Sequence, residues 1–367
     1  MKKLNLGFNC PIFYLKESAI EDLHPGIKYL RIFSAVFNKP KLPDGSFSFP
    51  DHKQIDALVN ICLDYEIEVI YCPQITKDGR TMASEFGFMQ MLIDRGVNIV
   101  AIQILGEMYL DKYRYGQLNK KAVIEQFTAS DIAPTLKLWV PAIIDAFPDR
   151  KYLITVASHQ NLPKDSYRIQ YTQNCIDWVT KFDTEGKLEF CFHFYSGFKN
   201  KQDDEELSFT EIDVTEVVNQ IRLKSNAPIH LCEGNHYRLD DSPEEMYRMG
   251  DYINHVHSVL SENAFIIMQV FQAPGYFSLY DGFGKTNVGD WYDKFLDDWE
   301  DDGYSENESP VLASTPIVKF SRWGKVAQHL VFSDGSILIH EKQGWWDFSW
   351  RPFDYTYIGQ PKSNFIS

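Results

Sequence analysis

Short apolar runs alternate with longer segments of helical period along most of this chain, and this alternation restricts its fold more than any other feature. The eight runs cover residues 4–9, 28–34, 67–73, 100–105, 152–158, 188–195, 228–232 and 265–271. Several are apolar at consecutive positions, which is typical of parallel strands that are buried on both faces. The pattern therefore predicts a sheet of parallel strands covered by helices.

The segments between the runs have the apolar spacing of amphipathic helices. Residues 51–65 place Ile55, Leu58, Val59 and Cys62 on one face. The other predicted helices cover residues 81–95, 123–147, 166–181, 213–224, 243–261 and 310–323. Pro134 and Pro141 predict that the segment 123–147 is broken into two pieces. The first unit is the weakest, since it offers only residues 16–23.

Eight strand–helix units form a closed (β/α)8 TIM barrel, a fold of the α/β class. An open doubly wound sheet is the alternative, but it usually has a GxGxxG turn after its first strand, and the sequence has none. We predict a barrel over residues 1–324. The most loop-like segments are 196–210 and 297–309, which are charged and polar.

The end of the chain has a different pattern. Residues 326–341 alternate apolar and polar side chains on both sides of Asp334-Gly335, which predicts a β-hairpin. An aromatic-rich segment follows. Residues 325–367 are therefore predicted to form a small β appendage packed on the barrel, too short for a secure core of its own.

Charge and targeting signals exclude several partners. The formal net charge is −15, from 36 basic and 51 acidic residues, whereas nucleic acids and anionic membranes require a basic surface. The sequence has neither a signal-peptide pattern nor 18 consecutive apolar residues. The six cysteines are scattered and are predicted to be reduced core residues. We expect a cytoplasmic location, with export by another route left open, and assign no oligomeric state.

Two carboxylates directly follow apolar strands, where barrel enzymes carry their chemistry. Glu107 follows the fourth run and Glu233 follows the seventh. These strands lie on opposite sides of an eight-stranded ring, so the two side chains can face each other. Carboxyl groups about 5 Å apart are the apparatus of retaining glycoside hydrolysis.

The segments around these residues resemble glycoside hydrolase clan A, the TIM-barrel retaining glycosidases. IQILGEMY contains Glu107, APIHLCEGNHY contains Glu233, and YLRIF, CFHFYSG and STPIVKFSRW resemble the clan's second strand, sixth strand and last helix. The resemblance covers residues 4–323. It implies that Glu107 is the acid/base and Glu233 the nucleophile in cleavage of a β-glycosidic bond of an oligo- or polysaccharide.

The resemblance also implies supporting roles. Arg31 and Tyr195 would hydrogen-bond the Glu233 carboxylate, and His193 would orient Glu107 or bind a hydroxyl. The other expected substrate-binding residues contact hydroxyls or stack on sugar rings: His159, Asn235, His236, Gln269, Phe271 and Trp291.

Two positions depart from the clan pattern. Gly106 replaces the Asn that usually precedes the acid/base and binds the sugar 2-hydroxyl, so another donor or a substrate altered at position 2 is expected. The eighth strand lacks the usual Trp, so Phe271 or Tyr276 would lie under the sugar.

Other chemistries have weaker signals. GxSxG and GxxxxGK[ST] are absent, and GFN stands where metal-dependent barrel hydrolases carry an HxH pair. We therefore predict no cofactor and no metal. Two alternatives remain: a non-catalytic carbohydrate-binding protein on the same barrel, and a metal-dependent barrel hydrolase in which His193, Glu233 and His236 share the mouth.

Overall fold

A computed structural model gives the architecture of the chain. It describes residues 3–33, 52–106, 129–157, 167–183, 185–196, 211–236, 243–261, 263–273, 278–281, 283–302, 317–320, 325–331, 337–343 and 356–357.

The predicted strands form a closed parallel barrel in which each strand pairs with the next and the eighth pairs with the first. This confirms the (β/α)8 prediction. The barrel strands are β1 Asn5–Cys10, β2 Tyr29–Phe33, β3 Glu68–Cys72, β4 Ile99–Ile104, β5 Lys151–Val156, β6 Leu188–Ser196, β7 Ile229–His236 and β8 Phe265–Met268.

The lumen of the barrel is filled by side chains from alternate strand positions. A buried apolar cluster includes Ile70, Ala101, Leu153, Cys191 and Cys232, which come from five consecutive strands. Side chains two residues apart on a strand share a face. The polar residues that follow this cluster by two positions, such as Gln103 and His193, therefore lie above it at the carboxyl end.

Helices between the strands cover the outside of the barrel. They are α1 His52–Asp64, α2 Met82–Asp94, α3 Ala129–Ala146, α4 Tyr167–Phe182, α5 Glu211–Arg222, α6 Pro243–Val259 and α7 Asn287–Asp302. Helix α1 buries Ile55, Leu58, Val59 and Cys62, the face that the periodicity predicts. In the first unit, short 3-10 helices at Ile12–Tyr14 and Glu17–Ala19 replace the predicted helix 16–23.

The predicted break at Pro134 and Pro141 is wrong, because α3 continues through both residues. Each proline removes one backbone hydrogen bond. The helix nevertheless buries one continuous apolar face, which includes Ile132, Leu136 and Trp139. Burial of this face outweighs the lost hydrogen bonds, since tertiary packing supplies most of the stability of a helix in a protein.

The predicted eighth helix over 310–323 is also wrong. The helix after β8 is α7, which takes in the first part of the segment 297–309 that was predicted to be a loop. Asp290, Asp297 and Asp298 face solvent, while Tyr292, Phe295, Leu296 and Trp299 are buried. Residues Ile317–Phe320, within the predicted helix, form strand β9.

A second sheet forms near the end of the chain. Strands β10 Lys325–Val331 and β11 Ile337–Gln343 pair antiparallel, which confirms the predicted hairpin. Its turn, Asp334-Gly335, lies outside the described residues. Strand β9 pairs with β10, and β12 Thr356–Tyr357 pairs with β11. The sheet thus takes in β9, which lies before residue 325, where the appendage was predicted to begin.

The six cysteines are free and buried, as the sequence predicts. None of the helices in the described part of the chain combines the length and the apolar character needed to cross a lipid bilayer.

Candidate active site

Glu233 lies at the carboxyl end of β7, and an irregularity in that strand turns its side chain into the lumen. Phe192 pairs with Leu231 but His193 pairs with Glu233, so β7 contains one extra residue at Cys232. Without this bulge, strict alternation would place the side chains of Cys232 and Glu233 on opposite faces. With it, Cys232 packs in the lumen and Glu233 points there as well.

Both carboxylate oxygens of Glu233 accept a hydrogen bond. Arg31 Nη1 donates to Oε2 at 2.6 Å, and Gln269 Nε2 donates to Oε1 at 2.7 Å. Only 7% of the Glu233 side chain is exposed. Hydrogen bonds to a carboxylate and an adjacent cation favour its ionised form, whereas burial opposes it. The site thus holds a buried carboxylate that depends on two donors.

Arg31 is fully buried and uses all of its donor directions. A guanidinium has five N–H groups, one on Nε and two on each Nη. Among the described residues, five acceptors surround it. Nε faces the Oε1 of Gln103, and Nη1 faces the Oδ1 of Asn9 and the Oε2 of Glu233, each at 2.6 Å. Nη2 faces the Nε2 of His193 at 3.3 Å and the Sγ of Cys72 at 4.0 Å.

The thiol of Cys72 contributes no counter-charge to this guanidinium. Burial raises its pKa to about 12, even though Arg31 acts in the opposite direction. Cys72 is therefore neutral at physiological pH, and among the described carboxylates Glu233 pairs with Arg31.

A histidine and a glutamine complete the cluster. His193 Nδ1 lies 3.8 Å from Glu233 Oε2. Gln103 Nε2 lies 2.9 Å from His193 Nε2 and donates to Thr155 Oγ1 at 2.9 Å. We call the connected set the Arg31 network; its members are Asn9, Arg31, Gln103, Thr155, His193, Glu233 and Gln269.

The end of β4 is tightly packed around Gly106. A Cβ atom added there would lie less than 3.0 Å from the Sγ of Cys72, which real Cβ contacts essentially never show. It would also lie 3.8 Å from Arg31 Nη2 and 3.9 Å from Gln103 Nε2. The glycine that departs from the clan pattern is therefore required by packing against Cys72. The preceding residue, Leu105, has a φ of 66°, which is uncommon for a bulky side chain.

Among the expected substrate-binding residues, the structure brings Arg31, His193 and Gln269 together around Glu233. Asn235 is buried two residues further along β7. An added Cβ at Gly234 would meet Tyr252 of α6, so Gly234 faces outward and Asn235 faces the lumen. Among the described residues, the Oδ1 of Asn235 has no hydrogen-bond partner.

Phe271 and Trp291 are placed in packed surroundings. Phe271 is fully buried, and its ring centroid lies 5.6 Å from that of Tyr280. Trp291 lies on α7, where it stacks on Phe295 at 5.1 Å. Sugar stacking by these two rings therefore has no support among the described contacts.

Several expected residues lie outside the described part of the chain. Glu107, His159 and Tyr276 are among them. For Tyr195 and His236, the structure describes the strand backbone but not the side chain. Among the described residues, no three His, Cys, Asp or Glu side chains are grouped as metal ligands.

Three members of the Arg31 network were not predicted to belong to the site: Asn9, Gln103 and Thr155. Each is a polar residue inside an otherwise apolar strand, and each is at least 95% buried. Buried polar side chains are normally hydrogen-bonded, so a polar residue at a lumen position of a strand is the signal that could have found them.

No protein-family model and no curated protein matches the chain. Among solved structures, it is similar to a GH30 endoxylanase from Clostridium papyrosolvens, with 11% identity, 93% of this chain and 81% of that chain covered, and a TM-score of 0.52. It is also similar to a β-glucosidase from Thermotoga maritima, with 10% identity, coverage of 74% and 83%, and a TM-score of 0.49. At such low identity, the likeness to the endoxylanase shows only that the two chains share the (β/α)8 fold.

Proposed function

We propose that the chain is a glycoside hydrolase that cleaves a β-glycosidic bond of an oligo- or polysaccharide with retention of configuration. Glu233 is the nucleophile and Glu107 the general acid and base. The observation that carries the proposal is the buried Glu233 carboxylate at the carboxyl end of the barrel, with Arg31 and Gln269 each donating to one oxygen. No cofactor takes part.

The environment of Glu233 suits a nucleophile. Arg31 supplies a full positive charge, and the pair is buried, so the carboxylate stays ionised without a shell of water. The Oε2 oxygen is held by Arg31 and faces His193, whereas Oε1 is held by the half-buried Gln269. We propose that the Oε1 side is open to the substrate.

The reaction proceeds in two displacements. Glu107 donates its proton to the glycosidic oxygen while the Glu233 carboxylate attacks the anomeric carbon, which breaks the glycosidic bond and forms a glycosyl ester. Glu107, now a carboxylate, then takes a proton from water, and that water attacks the anomeric carbon. The ester breaks, Glu233 is again a carboxylate, and Glu107 is again protonated.

Asn235 and Gln269 are proposed to contact sugar hydroxyls. The Oδ1 of Asn235 is a buried acceptor without a described partner, and a sugar O–H would satisfy it. Gln269 lies beside Glu233 and has a second amide hydrogen for a hydroxyl. His159, Tyr195 and His236 remain proposed contacts on sequence grounds.

The roles of the two glutamates are tested by azide rescue of alanine variants. The substrates are aryl β-glycosides, with xylosides and glucosides first, because an endoxylanase and a β-glucosidase are among the similar structures. In Glu233→Ala, azide would displace the leaving group directly and give an α-glycosyl azide. In Glu107→Ala, azide would attack the ester on Glu233 and give a β-glycosyl azide.

The wild-type enzyme should release the β-anomer first, as followed by proton NMR. Release of the α-anomer would contradict retention. A β-azide from Glu233→Ala would contradict the assignment of the nucleophile.

A second candidate function is carbohydrate binding without hydrolysis. Gly106 favours it, because packing against Cys72 leaves no space for the amide side chain that the clan carries there. Sugar binding by wild type together with no turnover on any aryl glycoside would support this candidate over the first.

The remaining proposals concern compartment and domains. The free, buried cysteines fit a reducing compartment, and we propose the cytoplasm. We also propose that residues 325–367 act as an appendage to the barrel.

A further inference from the structure

Gln103 is the most buried amide of the Arg31 network and the one whose role the proposed reaction leaves open. It lies on β4 with no exposed surface. Its side chain contacts Arg31, Thr155 and His193. A fully buried amide must satisfy both of its ends, so its orientation can be deduced from the partners.

The partners fix the orientation of this amide. Arg31 Nε can only donate a hydrogen bond, so the Gln103 atom that faces it is the carbonyl oxygen, Oε1. The NH2 end therefore faces the other two partners. One of its hydrogens goes to Thr155 Oγ1, and the other points to His193 Nε2, each over 2.9 Å.

The same reasoning fixes the protonation of His193. Its Nε2 faces two groups that can only donate, the Gln103 Nε2 and the Arg31 Nη2 at 3.3 Å. An N–H at this position would oppose both donors, so Nε2 is an acceptor and the ring proton is on Nδ1. The Nδ1–H then lies on the side of Glu233, 3.8 Å from Oε2.

We propose that Gln103 is a positioning residue that holds His193 as the neutral Nδ1–H tautomer, with this N–H turned toward the Glu233 carboxylate. Among the described residues, the charged groups that face the ring are Arg31 and Glu233. The consequence for turnover rests on the proposed function, whereas the tautomer does not.

The tautomer is measured directly by NMR of the full chain labelled with 15N-histidine. Two- and three-bond 15N–1H correlations distinguish protonated from unprotonated ring nitrogens. His193→Gln identifies the His193 signals among those of the ten histidines. At neutral pH, wild type should have Nδ1 protonated and Nε2 unprotonated. A protonated Nε2 in wild type would overturn the proposal without any further variant.

Gln103→Glu tests the control exerted by the amide. The carboxylate keeps the shape and still accepts from Arg31, but it presents an acceptor instead of a donor to His193. The Nε2 of His193 should therefore become protonated. Gln173→Glu on α4 is the matched control, because Gln173 accepts from the surface Lys224 and tolerates the same charge change. It should leave the His193 signals unchanged.

Gln103→Met provides a second variant if the glutamate variant fails to fold. It removes both hydrogen-bonding ends while keeping a similar volume, so His193 should populate both neutral tautomers. Wild-type His193 signals in both folded variants would overturn the proposal.

The effect of Gln103 on turnover is measured separately from the tautomer of His193. If the proposed function holds, Gln103→Glu should lower kcat by about 10- to 100-fold, as is typical of residues that orient a functional side chain. The change in KM should be small, because Gln103 has no exposed surface with which to contact the substrate. Absence of turnover in wild type would contradict the proposed function, while the tautomer measurement would still decide the role of Gln103.

Discussion

Two clusters of a glutamate, a histidine and a basic side chain lie at opposite ends of this barrel. At the carboxyl end, the Arg31 network surrounds Glu233. At the amino end, Lys151, Glu189 and His230 form a set that we call the amino-end cluster. The residue types are alike, but the two clusters differ in where the cation lies and in what the histidine does.

In the amino-end cluster, the histidine is fully used by the fold. His230 Nδ1 accepts the backbone N–H of Phe265 at 2.9 Å, so its proton is on Nε2, which faces Glu189 at 2.6 Å. The ring also stacks on Phe265. Burial lowers the pKa of His230, although Glu189 opposes this effect. The ring therefore ties three strands together as a neutral group.

The cations differ in exposure. Lys151 has 41% of its side chain exposed and lies 3.4 Å from Glu189, whereas Arg31 is fully buried and lies 2.6 Å from Glu233. Water can replace Lys151 as a partner of Glu189, but it cannot readily replace Arg31. The comparison shows that the carboxylate at the carboxyl end has a fully buried cation as its partner, whereas the cation at the amino end is partly exposed.

The largest expected effect comes from removing this buried cation. Arg31→Met should lower the free energy of unfolding by about 3–5 kcal/mol, because it removes the buried positive charge that pairs with the buried Glu233 carboxylate. Urea unfolding at pH 7 measures the change. Lys151→Met is the matched variant at the amino end and should cost only about 0–1 kcal/mol, as for exposed ion pairs.

The double variant Arg31→Met/Glu233→Gln sharpens this comparison. Removing the negative charge of Glu233 as well should recover part of the lost stability. Equal costs for Arg31→Met and Lys151→Met would remove the distinction between the two ends.

The barrel was predictable because its signal is repeated. Each strand must be apolar on both faces, and eight such runs leave few other folds. The predictions of two single elements were wrong because local signals were misleading. The prolines in α3 indicated a break, and the acidic residues of α7 made its buried apolar face difficult to recognise. In both helices, tertiary packing decided the outcome, and packing is not visible in one segment of sequence.

The candidate site was predictable in part. Glu233 was predicted because reactive residues follow barrel strands, and Arg31 because YLRIF resembles the second strand of the clan. From the sequence alone, β7 is expected to alternate strictly, which would turn the side chains of Cys232 and Glu233 to opposite faces. The bulge at Cys232, which turns both side chains into the lumen, could not be foreseen. Gln103 was visible as a polar residue in an apolar strand, but its partners come from strands far apart in sequence.

The next effect tests how tightly the carboxyl end is packed. Gly106→Ala should destabilise the protein by about 1–3 kcal/mol, since the added methyl group overlaps the Sγ of Cys72. Gly87→Ala is the control, because an added Cβ in α2 meets nothing within 4 Å. It should stabilise the helix by about 0.5–1 kcal/mol. Thermal unfolding of both variants measures whether each substitution destabilises or stabilises the protein.

Removing the Cys72 sulfur identifies the cause of that loss. The double variant Gly106→Ala/Cys72→Ala should cost less than the sum of its single changes. Strict additivity would mean that the glycine is required for another reason.

The amino-end cluster should make stability depend on pH. Because the pKa of His230 is below 6.5 in the folded protein, the unfolded chain binds its proton first as the pH falls. Its contribution is therefore present above pH 6.5 and is lost on acidification, at no more than about 1.4 kcal/mol per pH unit. His230→Gln should flatten the dependence of unfolding free energy on pH below 6.5. The exposed His52→Gln should retain the wild-type dependence, and equal curves for wild type and His230→Gln would contradict the prediction.

The smallest effect on stability separates a ligand contact from a structural one. Asn235→Ala should cost no more than about 1 kcal/mol of stability, because its Oδ1 has no described partner to lose. It should weaken sugar binding about 3- to 10-fold, the value of one hydrogen bond between neutral groups. Asn254→Ala on α6 removes another buried Oδ1 without a described partner, but outside the barrel, and should leave sugar affinity unchanged. The sugar affinity of both variants is measured by calorimetric titration with the sugar product that the best substrate releases. A large loss of stability in Asn235→Ala with unchanged affinity would place this residue with the amino-end cluster, as part of the fold, and not with the Arg31 network.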